Sequence, residues 1–223
     1  MTQITVTADN RPLRRDAERN RQRILDAARE LFAQRGLCVT LNDIAHHAGV
    51  GVGTVYRRFP DKAHLIDDLF EQRVEELVAL MDQASADPDP WNGLVGFLTR
   101  ALELQAQDRA LKEILNEMPD GVERVCRIRD RLLPLGSDLV RRAQESGRLR
   151  ADAAATDIPI IQLMLSALMD AARDVEPELW RRFLAIVIRG LSADPGPPEA
   201  LSPGPLLPND VDLVMSRSKT STP

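Results

Sequence analysis

Cysteine is nearly missing from this 223-residue chain: Cys38 and Cys126 stand alone. Two isolated thiols build neither a disulfide framework nor a thiolate metal site. They read as idle or buried groups in a reducing compartment, with a redox switch as the lesser alternative. Aromatic residues are only 4% of the chain, with one Tyr and two Trp, so the core has to be made of Leu, Ile, Val, Ala and Met. Histidine is as scarce. His46 and His47 form a pair without a third ligand, and His64 is the only other one, so no metal site is expected. No histidine follows residue 65 to serve as base for a Ser or Cys nucleophile, which argues against an enzyme. No apolar run approaches the length of a membrane span, and residues 1–10 lack a signal-peptide core. A cytoplasmic protein without a membrane segment or cofactor is expected. No strand pattern and no internal repeat is visible, which leaves an all-α fold of about nine helices.

The net charge of −5 conceals a division. Residues 11–62 hold ten Arg and one Lys against six acidic residues, a local excess of +5. The rest of the chain is acidic. A basic head on an acidic body concentrates anion attraction in one place.

Residues 1–12 are polar and unpatterned and read as a disordered arm. The head spans 13–60. Its first helix, expected over Leu13–Arg35, carries Ile24, Leu25, Ala28, Leu31 and Phe32 on one stripe, and Gly36 stops it. The opposite face carries Arg14, Arg15, Arg19, Arg21 and Arg23, either a solvated face or a phosphate-attracting one. Thr40 with Asp43 resembles a capping box and opens a helix to about Ala48. Gly49 supplies the left-handed angle of a sharp turn. Val50, Val55 and Phe59 anchor the next helix, about Gly51–Phe59, and Pro60 ends it. Asp61 is a fair N-cap for the helix after that.

Two short helices around a glycine turn form a helix-turn-helix, and the second one suits a major groove. Its outward residues are Val52, Gly53, Tyr56, Arg57 and Arg58. Thr54 and Tyr56 offer hydroxyls to phosphates. Arg57 or Arg58 can pair with guanine O6 and N7 or with phosphate, and Val52 can touch a thymine methyl. Lys62 lies at the start of the following helix, where amide N–H groups favour an anion. Gly53 costs roughly 1 kcal/mol of helix stability against Ala, in return for close backbone approach to a duplex. The run Gly49-Val-Gly-Val-Gly is no dinucleotide fingerprint, because no strand precedes it.

Ile24-Leu-Asp-Ala-Ala with Leu31-Phe32, Asp43-Ile-Ala with Ala48-Gly-Val, Gly53-Thr-Val-Tyr and Arg58-Phe-Pro-Asp-Lys make residues 14–65 resemble the DNA-binding domain of the tetracycline-repressor (TetR) family of bacterial regulators. The resemblance covers about a quarter of the chain. It implies three helices for DNA and about six for a domain that binds an effector and dimerises. It also implies Thr40, Thr54, Tyr56 and Lys62 as phosphate contacts, with Val52, Gly53, Arg57 and Arg58 placed to read bases. Gly51 stands where many relatives carry Ser.

The body spans 61–193. Helices are expected over Lys62–Ser85, Trp91–Gln107, Ala110–Met118, Gly121–Ser146 with a kink or break at Pro134, Asp157–Ala172, and from Pro177 to Leu191. Met81, Met118, Met164 and Met169, with Trp91, Phe97 and Leu98, can line an apolar ligand cavity, although core packing explains each of them too. The last two helices are apolar on more than one face: Ile158, Ile160, Ile161, Leu163, Met164, Leu165, Leu168 and Met169 cannot all point at one core, and Phe183, Leu184, Ile186, Val187, Ile188 and Leu191 repeat the situation. Either they are buried centrally, or residues 157–191 form a two-fold four-helix interface, which the resemblance favours. Seven prolines fall within 194–223, so that segment reads as a disordered tail, although Val211–Met215 could dock.

The function expected from all this is a sequence-specific, double-stranded DNA-binding regulator: a homodimeric, ligand-released repressor on a near-palindromic operator. Alternatives are a helical protein-interaction adaptor, or a regulator without a small-molecule effector.

Overall fold

The computed structural model describes residues 11–107, 121–194, 203–207, 210, 211 and 214. Residues 1–10 of the arm expected over 1–12, the helix expected over Ala110–Met118 and most of the tail lie outside the described residues, whereas Arg11 and Pro12, expected in that arm, open the first helix instead. The described chain is all-α: α1 (Arg11–Arg35), a 3-10 turn (Gly36–Cys38), α2 (Leu41–Ala48), α3 (Val52–Arg58), α4 (Lys62–Ser85), α5 (Pro90–Gln107), α6 (Gly121–Glu145), α7 (Asp157–Ala172) and α8 (Leu179–Leu191). Its only β pairing is an antiparallel bridge between Leu149 and Ser192.

Contacts divide the described chain into two compact units, one up to Arg73 and one from Val74 on. The first reaches past the expected limit of 60 because Leu65, Ile66 and Leu69 of α4 pack into its core. That core also holds the α1 stripe Ile24, Leu25, Ala28, Leu31 and Phe32, with Ile44, Ala45, Val55 and Phe59. Burying each large aliphatic side chain contributes roughly 1.5–3 kcal/mol, which outweighs the weak intrinsic helicity of so short an α3.

The second unit is built on α5 to α8 and the later half of α4. Asp89 Oδ1 accepts from the Trp91 and Asn92 amides at 2.9 and 3.3 Å, and Pro90 occupies the first turn, so α5 begins one residue before its expected start. A Cβ on Gly93 would lie 2.3 Å from the Ala84 carbonyl, so only glycine lets α5 approach the end of α4. Arg142 donates to the Ser85 carbonyl at 2.6 Å and satisfies that same helix end.

The later helices and the tail differ in part from expectation. Of the kink or break expected at Pro134, the break is not found: α6 continues through that residue. Thr156 flanks α7 without a side-chain cap bond, and Asp157 Oδ2 accepts from the Ala154 amide at 2.8 Å. Helix α8 begins at Leu179, two residues after Pro177, because the chain turns on hydrogen bonds between Ala172 and Glu176 first. In the tail, docking within Val211–Met215 is found at Val214, which is buried with Ala172 and Leu179, and Leu206 packs beside them.

Candidate nucleic-acid interface

The helix-turn-helix is locked by hydrogen bonds of its own. At the start of α2 the Thr40 hydroxyl accepts from the Asp43 amide at 3.2 Å, and the Thr40 amide donates to Asp43 Oδ2 at 2.9 Å. This is the capping box read from the sequence. The Thr40 hydroxyl also donates to Asp43 Oδ2 at 2.6 Å. These bonds to Thr40 hold the Asp43 carboxyl below its usual pKa. Both Thr40 donors are therefore given to Asp43 in this structure.

The turn follows from Gly49, whose φ of 63° lies in the left-handed region. The Gly49 and Val50 amides close it onto the His46 and Ala45 carbonyls. Arg23 Nη2 donates to the Ala48 carbonyl at 2.7 Å, satisfying an orphan acceptor at the end of α2. His47 Nε2 lies 2.7 Å from Glu30 Oε2, a second link from α2 to α1. Neither bond is legible in the sequence, since the partners are 25 and 17 residues apart. Arg23 belongs to the brace of the motif.

Gly51 caps α3 without a side-chain bond, as expected of a residue that has none to offer. Val55 is fully buried beneath α3, and this fixes which face turns outward. Gly53, Tyr56, Arg57 and Arg58 are exposed, with Tyr56 at 45%. Among the described residues neither Tyr56 nor Arg57 has a recorded partner. A Cβ built on Gly53 meets nothing within 4 Å, so packing does not demand glycine there. Thr54 is half-buried at the edge of this face.

Two expected base readers are less available. Val52 is half-buried and packs on the core instead of standing clear. Arg58 Nη2 reaches Asp68 Oδ2 at 3.5 Å, and its guanidinium lies 5.5 Å from the Phe59 ring centre. The same carboxylate oxygen accepts from Arg21 Nε at 3.0 Å, and Arg21 also pairs with Glu18. Asp68 thus ties α1 and the end of α3 to α4. Arg19 pairs with Asp16 on the surface.

The start of α4 differs from the expected anion site. Asp61 Oδ1 accepts from the His64 amide at 3.0 Å and from His64 Nδ1 at 2.8 Å, so the carboxylate already caps the helix. His64 therefore does have a carboxylate partner. The pairing raises the pKa of His64 and lowers that of Asp61. Lys62 Nζ donates to the Val39 carbonyl at 3.4 Å, which holds the ammonium beside the α2 cap.

The residues expected to line a ligand cavity separate by burial. Met81, Trp91, Phe97 and Leu98 are buried in one cluster of the second unit, and Met169 packs against it. Met164 does not join them: it is 54% exposed beside Ile160 and Leu163 on the outer face of α7. Met118 lies outside the described residues. A group that pattern reading missed is Trp180, 1% exposed, whose indole N–H has no acceptor among the described residues. Orphan donors in a core are uncommon and call for a cause. Among the described residues no cluster of three His, Cys, Asp or Glu could hold a metal, and no helix is long and apolar enough to cross a membrane.

Comparison with known proteins agrees with this geometry. Residues 24–69 match the family described as bacterial regulatory proteins, tetR family, and residues 89–193 match the C-terminal domain of SbtR-like transcriptional regulators. The chain is 30% identical over 162 residues to the HTH-type transcriptional regulator TtgR of Pseudomonas putida, covering 65% of this chain and 77% of that protein. Among solved structures it resembles a TetR transcription regulatory protein from Mycobacterium vanbaalenii, with 31% identity and a TM-score of 0.65, over 81% of this chain and 99% of the other. It also resembles NalD, the secondary repressor of the MexAB-OprM multidrug efflux pump in Pseudomonas aeruginosa, with 26% identity and a TM-score of 0.56, over 81% and 99%.

Proposed function

Because this chain belongs to the tetR family of bacterial regulatory proteins, which are helix-turn-helix regulators of transcription, we propose that it is a ligand-released repressor acting as a homodimer in the cytoplasm. The observation that carries the DNA side is the outer face of α3, where Tyr56 and Arg57 stand exposed and unpartnered beside the open backbone of Gly53. NalD, a repressor by its description, supports the direction of control.

In this reading Arg57 reads a base edge, most simply guanine O6 and N7, and Gly53 admits the duplex close to the α3 backbone. Tyr56, Thr54 and Lys62 hold phosphates and set the register. Val52 offers only the part of its side chain outside the core to a thymine methyl. Arg58 serves a phosphate while keeping Asp68. Thr40 braces α2 through Asp43. Two copies related by a two-fold axis would present their α3 helices about 34–36 Å apart, or a multiple of one turn, on a near-palindromic operator.

Dimerisation is assigned to the bare apolar residues Ile160, Leu163 and Met164 of α7 with Phe183 and Ile186 of α8. The effector is read as a largely apolar molecule received among Met81, Trp91, Phe97, Leu98 and Met169, with the Trp180 N–H as a donor for an acceptor oxygen. To move operator occupancy from nearly full to nearly empty, it must prefer the released state by about 5.5 kcal/mol. No catalytic step is assigned.

The test is fluorescence anisotropy with duplexes from the DNA flanking its own coding region. Lys62→Ala should weaken binding to all sequences and lower the salt slope by about one. Arg57→Ala should relax preference at one base position. An unchanged slope removes Lys62 from the phosphate contacts, and an unchanged selected motif removes Arg57 from base reading.

A further inference from the structure

The family match ends at residue 193, yet the chain beyond it is built onto the second unit. The Pro203 carbonyl accepts from Arg182 Nη1 of α8 at 3.2 Å. Further on, Val214 is buried against Ala172 at the end of α7 and Leu179 at the start of α8, with Leu206 packed into the same cluster. The described residues of the segment are thus held by one hydrogen bond and by the apolar contacts of Leu206 and Val214.

Beside these contacts lie two apolar side chains that stand exposed in the single chain: Leu207 at 69% and Val211 at 43% exposure. The Asp210 and Val211 amides bond back to the Leu207 carbonyl, so a helical turn begins there. Spacings of four and three place Leu207, Val211 and Val214 on one face of that turn. One end of the face is buried in the chain and the rest is bare.

The partner stripe on α8 behaves the same way. Leu179, Phe183 and Ile186 follow spacings of four and three, so they too share a face. Leu179 is buried beneath Val214, whereas Phe183 and Ile186 are exposed. Two bare apolar strips therefore leave a single buried contact, one along α8 and one along the tail.

We propose that the C-terminal segment is part of the subunit interface, and that a second copy of this chain seated on Phe183 and Ile186 also covers Leu207 and Val211. This rests on the dimer assigned above, and it extends that dimer beyond the helices the family shares. A second copy is the occupant the geometry favours, because the tail strip is continuous with the α8 strip and a two-fold interface presents the same patch from both sides.

The experiment is sedimentation equilibrium on the full chain and three variants, with circular dichroism to check that each remains helical. The double variant Leu207→Asp with Val211→Asp alters only side chains exposed in the single chain, so its fold should be kept. Its dimer dissociation constant should rise on the order of tenfold or more, since a carboxylate would have to lose its water at the contact. Ending the chain at Asp194 should have the same sign of effect. The variant Ile186→Asp tests the underlying dimer separately. If Ile186→Asp dissociates the protein and the tail variants leave the constant unchanged, the tail lies outside the interface and the proposal is wrong while the dimer stands. If the unaltered chain is a monomer throughout, both fail.

Discussion

Gly53 shows how a single position separates folding from recognition. It needs no left-handed angle, and an added methyl group would meet no atom of the protein. Alanine there should stabilise α3 by up to about 1 kcal/mol. The same methyl stands on the face assigned to the duplex. Gly53→Ala is thus expected to melt slightly higher than the unaltered protein and to bind operator more weakly. If thermal melting rises and anisotropy shows undiminished affinity, close backbone approach at Gly53 is not part of recognition. Arg23 is the converse case, a basic residue of the head occupied inside the protein. Arg23→Ala removes the bond to the Ala48 carbonyl and should cost about 1–2 kcal/mol. Operator binding should weaken through the loosened turn with no change in salt slope; a slope reduced by one unit would mean that Arg23 meets phosphate after all.

At the scale of elements, the short α3 depends on its neighbours. It has seven residues and no side-chain cap, too little to form alone. Val55 and Phe59 in the core, the Gly49 turn and the Asp68 link hold it. The junction of α3 with α4 is pH-sensitive in a definite direction. His64 is raised above its ordinary 6.5 by hydrogen bonding and charge from Asp61. Its share of the cap is complete below 6.5 and is lost as pH rises through the raised value. Asp61 is lowered from its ordinary 3.8, first by the His64 side chain and then by the His64 amide, so its share is present above 3.8 and lost as pH falls through the lowered value. NMR titration should therefore find the His64 midpoint above 6.5 and returning toward it in Asp61→Asn. A midpoint at or below 6.5 in the unaltered protein would show that the pair does not form in solution.

For the whole molecule, the prediction concerns Trp180. Its ring is buried and stacked by Arg181, which in turn pairs with Glu103 at 3.0 Å, but its N–H finds no acceptor among the described residues. Leaving such a donor dry costs about 1–3 kcal/mol, a cost that a ligand's acceptor would relieve. Trp180→Phe keeps an aromatic ring there and removes the orphan donor. The variant should lose less than about 1.5 kcal/mol on chemical denaturation, while any effector that releases the operator should need a higher concentration to do so. Equal effector sensitivity in both proteins would take Trp180 out of the ligand site.

The amino-acid order alone determined what acts over one or two turns. The α1 stripe, the Thr40 capping box, the left-handed Gly49, the buried Val55 and the bounds of α2, α4 and α7 all follow from contacts within about eight residues, and sequence records those directly. Tertiary structure decided where each long side chain went. Arg21, Arg23 and Arg58 look alike in the sequence as basic residues of a basic head, yet each is tied to a partner 47, 25 or 10 positions away. Met164 and Met81 are equally apolar, and only the packing of α7 leaves the first bare and the second buried. The physical reason is reach: a helix periodicity fixes which residues share a face, but the atoms opposite that face come from segments whose distance along the chain carries no pattern.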